Sequence, residues 1–362
     1  MTIHRFLQHA GTLLLALSWP FAAAQAQPAP ESFTGKTLTI IVGVDAGGTV
    51  DTFVRLLAPH LKKHVPGNPA ILVQNMLGAG GLVATNFLAE RAAKDGLTIG
   101  YQNWDPLAQA LGNQGLRTRY DRFEYLGGTS DTRVNYARVD SIPGGIKTPA
   151  DIVKAQGIAV GAYSNTDISG LLAKMSLEVM GVPHKFITGY RGGQDIFLAL
   201  QRGEVQYHNT SITSFRTRAG PFVKSGIGTG ISYLNTLDAQ GRFEPNRDIT
   251  EMPAFTELYA QINGRPPSGP SWDALSWLVQ VFGDVAFMGL APPGTAPAAL
   301  TALRRGFEGA ILDPEFVEQS TRINGLPYPF VPVERGRAII KALADVSPAV
   351  LDTVRRSIGE VK

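Results

Sequence analysis

The chain is expected to fold as an α/β protein in two domains, on three observations. Apolar, β-branched runs alternate with amphipathic helical runs. The alternation fades after the third strand-like run and then restarts. Glycine-rich turns stand at strand-to-helix junctions in both sets. Length agrees, since removing Met1–Ala26 from the 362 residues still leaves more than one core usually covers.

The opening has a cationic region around Arg5, an apolar run from Ala10 to Trp19, Pro20 and the small-residue site Ala24-Gln25-Ala26. That order reads as a secretory signal cleaved after Ala26, with an apolar run too short to anchor in a bilayer. No later stretch reaches about 18 apolar residues free of charge and proline, so an exported, soluble chain is expected. The sequence has no cysteine, hence no disulfide, thiol nucleophile or lipid-attachment site. Net charge is +3, and no Lys/Arg run exceeds two residues, which argues against a nucleic-acid partner.

In order along the chain, "KTLTIIV" (Lys36–Val42) reads as a buried strand, and Asp51–His64 as a helix with Asp51 as N-cap and a kink at Pro59. Ala70–Gln74, Gly81–Lys94 and Leu97–Tyr101 continue as strand, helix and strand. Helices of this length between strands imply parallel, right-handed βαβ units. The second set reads as Ala159–Gly161 (strand), Ile168–Met180 (helix), Lys185–Thr188 (strand) and Gln194–Arg202 (helix), then strands at Val205–His208 and Gly226–Ser232. Residues 235–270 are polar and rich in Pro and Gly, reading as a long surface excursion. Helices return at Trp272–Val281, Ala298–Leu312, Pro314–Asn324 and Glu334–Glu360, the last broken near Pro348.

The chemistry lies at the junctions. "GVDAGGTVD" places Asp45, Ala46, Gly47, Gly48 and Thr49 between a strand end and the N–H groups that open a helix, where glycines let an anion approach and the dipole favours it. "QNMLGAGGLV" repeats the device with Gly78, Gly80 and Gly81; "GAYSNTDISG" offers Tyr163, Ser164, Asn165 and Thr166; "TGYRGGQD" adds Tyr190, Arg191, Gly192 and Gly193. An arginine beside two glycines suits carboxylate capture, although a surface arginine reads equally well.

Rival chemistries lack their parts. Gly78-Ala-Gly80-Gly81-Leu-Val83 has no third fingerprint glycine and no acid about 20 positions on, and no loop ends in Gly-Lys-Ser/Thr. There is no Gly-x-Ser-x-Gly and no His-Glu-x-x-His. His60 and His64 stand four apart without a ligand partner in sequence, which reads as a solvated helix face. His208 falls just past a strand, where a cleft would open. Trp272 and Trp277 read as packing, and Asp51 as a structural cap, because a carboxylate repels an anion.

These motifs, in order, resemble the extracytoplasmic solute-binding proteins of tripartite tricarboxylate transporters, the Bug receptor family. The resemblance is carried by Gly47-Gly48-x-x-Asp51 with Arg55, Asn75 with Gly78–Gly81, Asp95-Gly96, "YDRFEYLGG", "ITGYRGGQDIFLALQRGEVQ" and "LAPPGTAPAALTALRRGFEGAILDPEF". It spans essentially the whole chain after Ala26. Departures are Val44-Asp45-Ala46 where the family has prolines, Ile187–Gly192 in place of Val-Pro-Tyr-Lys-Gly, and a longer 235–285 segment.

The resemblance implies a two-domain periplasmic binding protein of type II, each domain a mixed, mostly parallel sheet flanked by helices, joined by two crossing strands. Domain 1 would comprise 33–131 and 235–362, and domain 2 would comprise 132–234. A small carboxylate would be held between them, without metal or cofactor, and delivered by a monomer to membrane permease subunits. Three or four charge-assisted hydrogen bonds of roughly 1.5–3 kcal/mol each suffice for micromolar affinity, about 8 kcal/mol. Selectivity would fall to Tyr163, Tyr190, Arg191, Asn103 and Asn209, with His208 a further candidate ligand contact. The alternatives are a secreted enzyme using Asp45 and His208, and a sensor subunit with the same fold.

Overall fold

The computed structural model describes residues 32–360 apart from Asp45, Gly48, Tyr163, Arg191, Gly192, 238–241 and Asp284; of Thr49, Gln102, Asn103, Thr236, Leu237 and Asn324 it describes only the backbone. The expected signal segment therefore lies outside the described residues. Among them, no helix is long and apolar enough to cross a membrane.

The first set runs β1 (Thr37–Val42), α1 (Thr49–His64), β2 (Ala70–Asn75), α2 (Leu82–Glu90), β3 (Thr98–Asn103), α3 (Pro106–Ala110) and β4 (Glu124–Thr129). Leu38, Ile40 and Val42 make β1 the buried centre, with β2 and β3 parallel on either side, as the βαβ pattern requires. Helix α1 runs unbroken through Pro59, whose exposed position lets the carbonyl it frees meet water.

The chain then enters a second sheet through β5 (Arg133–Arg138), β6 (Ile158–Gly161), α4 (Ile168–Val179), β7 (His184–Ile187), α5 (Gly193–Arg202) and β8 (Tyr207–Ser211). Short helices α6 (Ile212–Ser214) and α7 (Gly220–Lys224) flank a wide π turn, Phe215–Ala219, before β9 (Gly228–Tyr233). The order is β7-β6-β8-β5-β9, with β6 parallel to β7 and β8, and β5 antiparallel to both neighbours.

Residues 235–270 do not form the simple surface excursion expected. After a two-stranded ladder, β10 (Thr236–Leu237) and β11 (Phe243–Glu244), the segment buries Ile249, Met252 and Ala254 and enters α8 (Phe255–Asn263). Its sparse apolar residues act as anchors: Phe243 and Phe255 pack on Trp272, centroids 5.0 and 5.9 Å away. The C-terminal part supplies α9 (Pro270–Phe282), β12 (Phe287–Ala291), α10 (Pro297–Ile311), α11 (Pro314–Asn324), β13 (Phe330–Val331), α12 (Val333–Ala344) and α13 (Pro348–Ile358). Strand β12, absent from the sequence reading, inserts antiparallel between β3 and β4 and gives the first sheet the order β13-β4-β12-β3-β1-β2.

One apolar cluster sits between the first sheet, α1 and α10, and another between the second sheet and α5. The largest runs from Trp104 and Tyr125 through Leu171 and Leu172 of α4 to Leu275 and Leu278 of α9.

Candidate functional site

Asp51 organises the β1–α1 junction. It is 1% exposed. Its Oδ2 accepts the Gly47 N–H at 2.8 Å and Arg55 Nε at 2.9 Å, and its Oδ1 accepts Asn75 Nδ2 at 2.9 Å. Arg55 Nη2 donates to Asn75 Oδ1 at 3.1 Å, and Asn75 Nδ2 also reaches the Val44 carbonyl at 2.9 Å. The Arg55 bond first, then those from Gly47 and Asn75, hold the Asp51 carboxyl down to about 2 against the opposing effect of burial.

The expected N-cap role of Asp51 is corrected by this geometry. Helix α1 begins at Thr49, and Asp51 lies in its first turn, bonding backward to Gly47. An N-cap instead accepts from N–H groups ahead of it. Asp51 acts as the acidic half of a capping box does. Gly47, at φ +80°, takes the left-handed conformation that lets its N–H turn toward the helix.

The second glycine loop abuts the first: a Cβ on Gly81 would stand 3.6 Å from the Gly43 carbonyl oxygen, and Gly80 has open space around it. At the β6–α4 junction Asp167 caps α4, accepting the N–H groups of Ser169 at 3.1 Å and Gly170 at 3.3 Å. Ser164, Asn165 and Thr166 are exposed, with the Ser164 and Thr166 hydroxyls 3.3 Å apart. Tyr190 is half-buried, and its N–H donates to the Ala162 carbonyl at 3.4 Å. Burial raises its phenol above the usual range.

His208 and Asn209 lie deeper than the sequence reading placed them, because β8 extends to Ser211 and runs between β6 and β5. His208 is 3% exposed and edge-on to Tyr136. Burial foremost, then the guanidinium of Arg133, lower its imidazole to about 3, with Arg218 adding to the effect and a bond to the Gly161 carbonyl opposing it. It is therefore neutral near pH 7. Asn209 is fully buried, its Oδ1 accepting from Arg133 Nε and its Nδ2 donating to Asn135 Oδ1, both at 3.0 Å. Arg133 Nη2 also donates to Ser169 Oγ at 2.5 Å, tying β5 and β8 to the start of α4. The Asn209 side chain is thus spent on supporting a loop, and the sequence reading missed Arg133 and Asn135.

Asp45, Gly48, Tyr163, Arg191 and Gly192 lie outside the described residues, as do the side chains of Thr49 and Asn103. The expected solvated face at His60 and His64 is corrected as well. His60 is buried, and Asp313, which caps α11, stands against both: His64 Nε2 lies 2.7 Å from Asp313 Oδ2 and His60 Nδ1 3.6 Å from Oδ1. Lys63 Nζ, 2.8 Å away, and the Glu315 N–H, 3.0 Å away, also serve that carboxylate, so the cluster fastens α1 to α11.

Known proteins resemble the chain in sequence over part of its length and in fold over most of it. No protein-family model matches the chain. A UPF0065 protein of Cupriavidus necator is 29% identical over 120 residues, 30% of this chain and 36% of the relative. BugT of Bordetella pertussis is 36% identical over 91 residues, 24% of this chain and 27% of BugT. The chain thus matches about a third of the length of these curated relatives.

Solved structures share the fold over most of both chains. A TctC solute-binding protein from Polaromonas superposes with TM-score 0.64 at 17% identity, covering 90% of this chain and all of its own. MatC from Rhodopseudomonas palustris with bound malate gives 0.58 at 22%, covering 88% and 99%. A further R. palustris protein with adipate gives 0.61 at 16%, covering 90% and 98%. The resemblance read from the sequence and the two-domain periplasmic-binding-protein fold it implies are borne out.

Proposed function

We propose that the chain is a periplasmic solute-binding protein that captures a small carboxylate between its two α/β domains and delivers it to a tripartite tricarboxylate-type permease. The observation that carries this reading is the fate of the junction acids. Asp51 and Asp167 are consumed as internal acceptors for their own helices and neighbours, while the Ser164 and Thr166 hydroxyls face solvent. The exposed side chains described at the 161–167 loop, Ser164, Asn165 and Thr166, offer donors, and donors at helix starts recruit anions.

Malate and adipate in two fold neighbours support the ligand class. Domain 1 comprises 33–131 and 235–362 and domain 2 comprises 132–234, with a leader removed after Ala26 and a monomeric mature chain. The β1–α1 loop and the 161–167 loop hold the carboxylate, with Gly80, Asn103, Tyr163, Tyr190, Arg191 and Gly192 at its sides. Closure of the domains presents the surface that the permease reads.

The test is a thermal-shift screen of residues 27–362 against a carboxylate panel including malate and adipate. A ligand at about 100 times its dissociation constant adds roughly 2.7 kcal/mol, enough for a shift of a few degrees. A shift without added metal, with the ligand recovered unchanged, is the expected result. A folded protein that responds to no carboxylate, or that consumes the one it binds, refutes the reading.

A further inference from the structure

Helices α1 and α11 meet at a cluster of imidazoles and carboxylates remote from the junction loops. His60 and His64 stand one turn apart on the same face of α1. His60 lies about 16 Å along the helix axis from Thr49, where the β1–α1 loop ends. Across from them, Asp313 caps α11 and is 3% exposed, while Glu315, in the first turn of that helix, is exposed.

The two oxygens of Asp313 have different surroundings. Oδ2 is taken by Lys63 Nζ at 2.8 Å and by His64 Nε2 at 2.7 Å. Oδ1 accepts the Glu315 N–H at 3.0 Å and faces His60 Nδ1 at 3.6 Å, too far for a hydrogen bond. The His60 ring is 4% exposed, packs edge-on against Phe316 at 5.6 Å, and makes no hydrogen bond among the described residues. A buried imidazole aimed at a carboxylate without bonding it asks for a third party between them. Two ligand atoms of a tetrahedral ion, with bonds of about 2.0–2.1 Å, stand about 3.3 Å apart, close to the observed gap. Donor atoms of His60, Asp313 and Glu315 all lie within 4.8 Å of one another.

We propose that His60, Asp313 and Glu315 form a binding site for a borderline divalent cation of the Zn2+ kind, bridging α1 and α11. His60 Nδ1, Asp313 Oδ1 and the Glu315 carboxylate are its ligands, and water completes the shell on the exposed side. Lys63 and His64 stay on Oδ2 and orient the Asp313 carboxylate, as the outer partners of metal ligands do. Two carboxylates against one ammonium leave the corner net negative before an ion enters. An imidazole among the ligands favours zinc over Mg2+ and Ca2+, which take oxygen shells. The site is independent of the carboxylate reading above.

Calorimetric titration of Zn2+ into residues 27–362, stripped with chelator and carrying no histidine tag, tests this. One ion per chain is expected, with a rise in melting temperature that Mg2+ at the same concentration does not give. Glu315→Gln, at an exposed position, weakens Zn2+ at least about tenfold and removes the thermal shift, and His60→Gln does the same. His184→Gln, at a histidine–glutamate pair 3.9 Å apart between β7 and α4, leaves both intact. No saturable binding, or an equal response to Mg2+, overturns the proposal. Binding that survives Glu315→Gln also overturns it and marks an adventitious ion only. Carboxylate binding is read without added metal, so its presence or failure is scored separately.

Discussion

Asp51 in the first turn of α1 and Asn75 at the end of β2, 24 positions apart in sequence, meet at 2.9 Å and pin the β1–α1 loop from behind. Because Asn75 also holds the Val44 carbonyl and Asp51 the Gly47 N–H, one buried carboxylate and one amide fix both sides of the loop. These bonds hold the loop in place from the protein side; if it binds the ligand as proposed, that preorganisation lowers the ordering cost of binding.

Asp51→Asn is expected to lose about 2 kcal/mol of stability, read from the urea midpoint, and to weaken ligand binding with it. Arg55 is half exposed, so most of the loss comes from the Gly47 and Asn75 bonds. A carboxyl held at about 2, below 3.8, contributes stability that is full above 3.8 and lost as pH falls toward 2. The variant should lack that part of the acid slope; an unchanged midpoint would sink the assignment.

His208 sets a second pH dependence of known sign. Its folded value of about 3 lies below the ordinary 6.5, so the unfolded chain binds the extra proton between them and stability falls as pH drops through that window. Asp131, raised to about 6 mainly by burial, works in the opposite sense between 3.8 and 6. Melting curves at pH 4.5 and 7 for the wild type and His208→Gln isolate the histidine. The difference between the two pH values should tilt toward greater acid tolerance in the variant.

Asn209→Ala strands Arg133 Nε and Asn135 Oδ1 in the interior. The expected cost is about 2 kcal/mol, as a lower denaturation midpoint with an unaltered slope. Loosening of the 161–167 loop should follow, because Arg133 also holds Ser169. A loss below about 0.5 kcal/mol would mean that water replaces the amide.

Gly170→Ala places a Cβ 2.5 Å from the Ala162 Cβ and 3.0 Å from the Phe186 ring. Overpacking of this kind costs about 1–3 kcal/mol, more than the roughly 1 kcal/mol that alanine gains in a helix. Ala162 stands at the base of the 161–167 loop, so affinity should fall together with the melting temperature. A variant as stable as the wild type would show that α4 can shift freely against the loop.

Most of the parallel strands and their helices were legible because burial on both faces leaves continuous apolar runs such as Leu38–Val42. Strand β12 escaped, since "FMGLA" is short and carries no signal of the antiparallel register it takes between β3 and β4. The junction loops were legible from their glycines and hydroxyls. Their supports were not: Arg133 and Asn135 differ from surface residues of the same type only in what they meet.

The sequence by itself determined the α/β class and the position of each glycine-rich junction, because helix starts, left-handed turns and apolar periodicity are local properties. Only the tertiary structure decided which side chains remain available there. It spends Asp51 on Gly47 and Asn75, Asn209 on Arg133, and Arg216 on Glu251. A polar group's role depends on whether folding supplies its partner, and those partners lie tens of residues away.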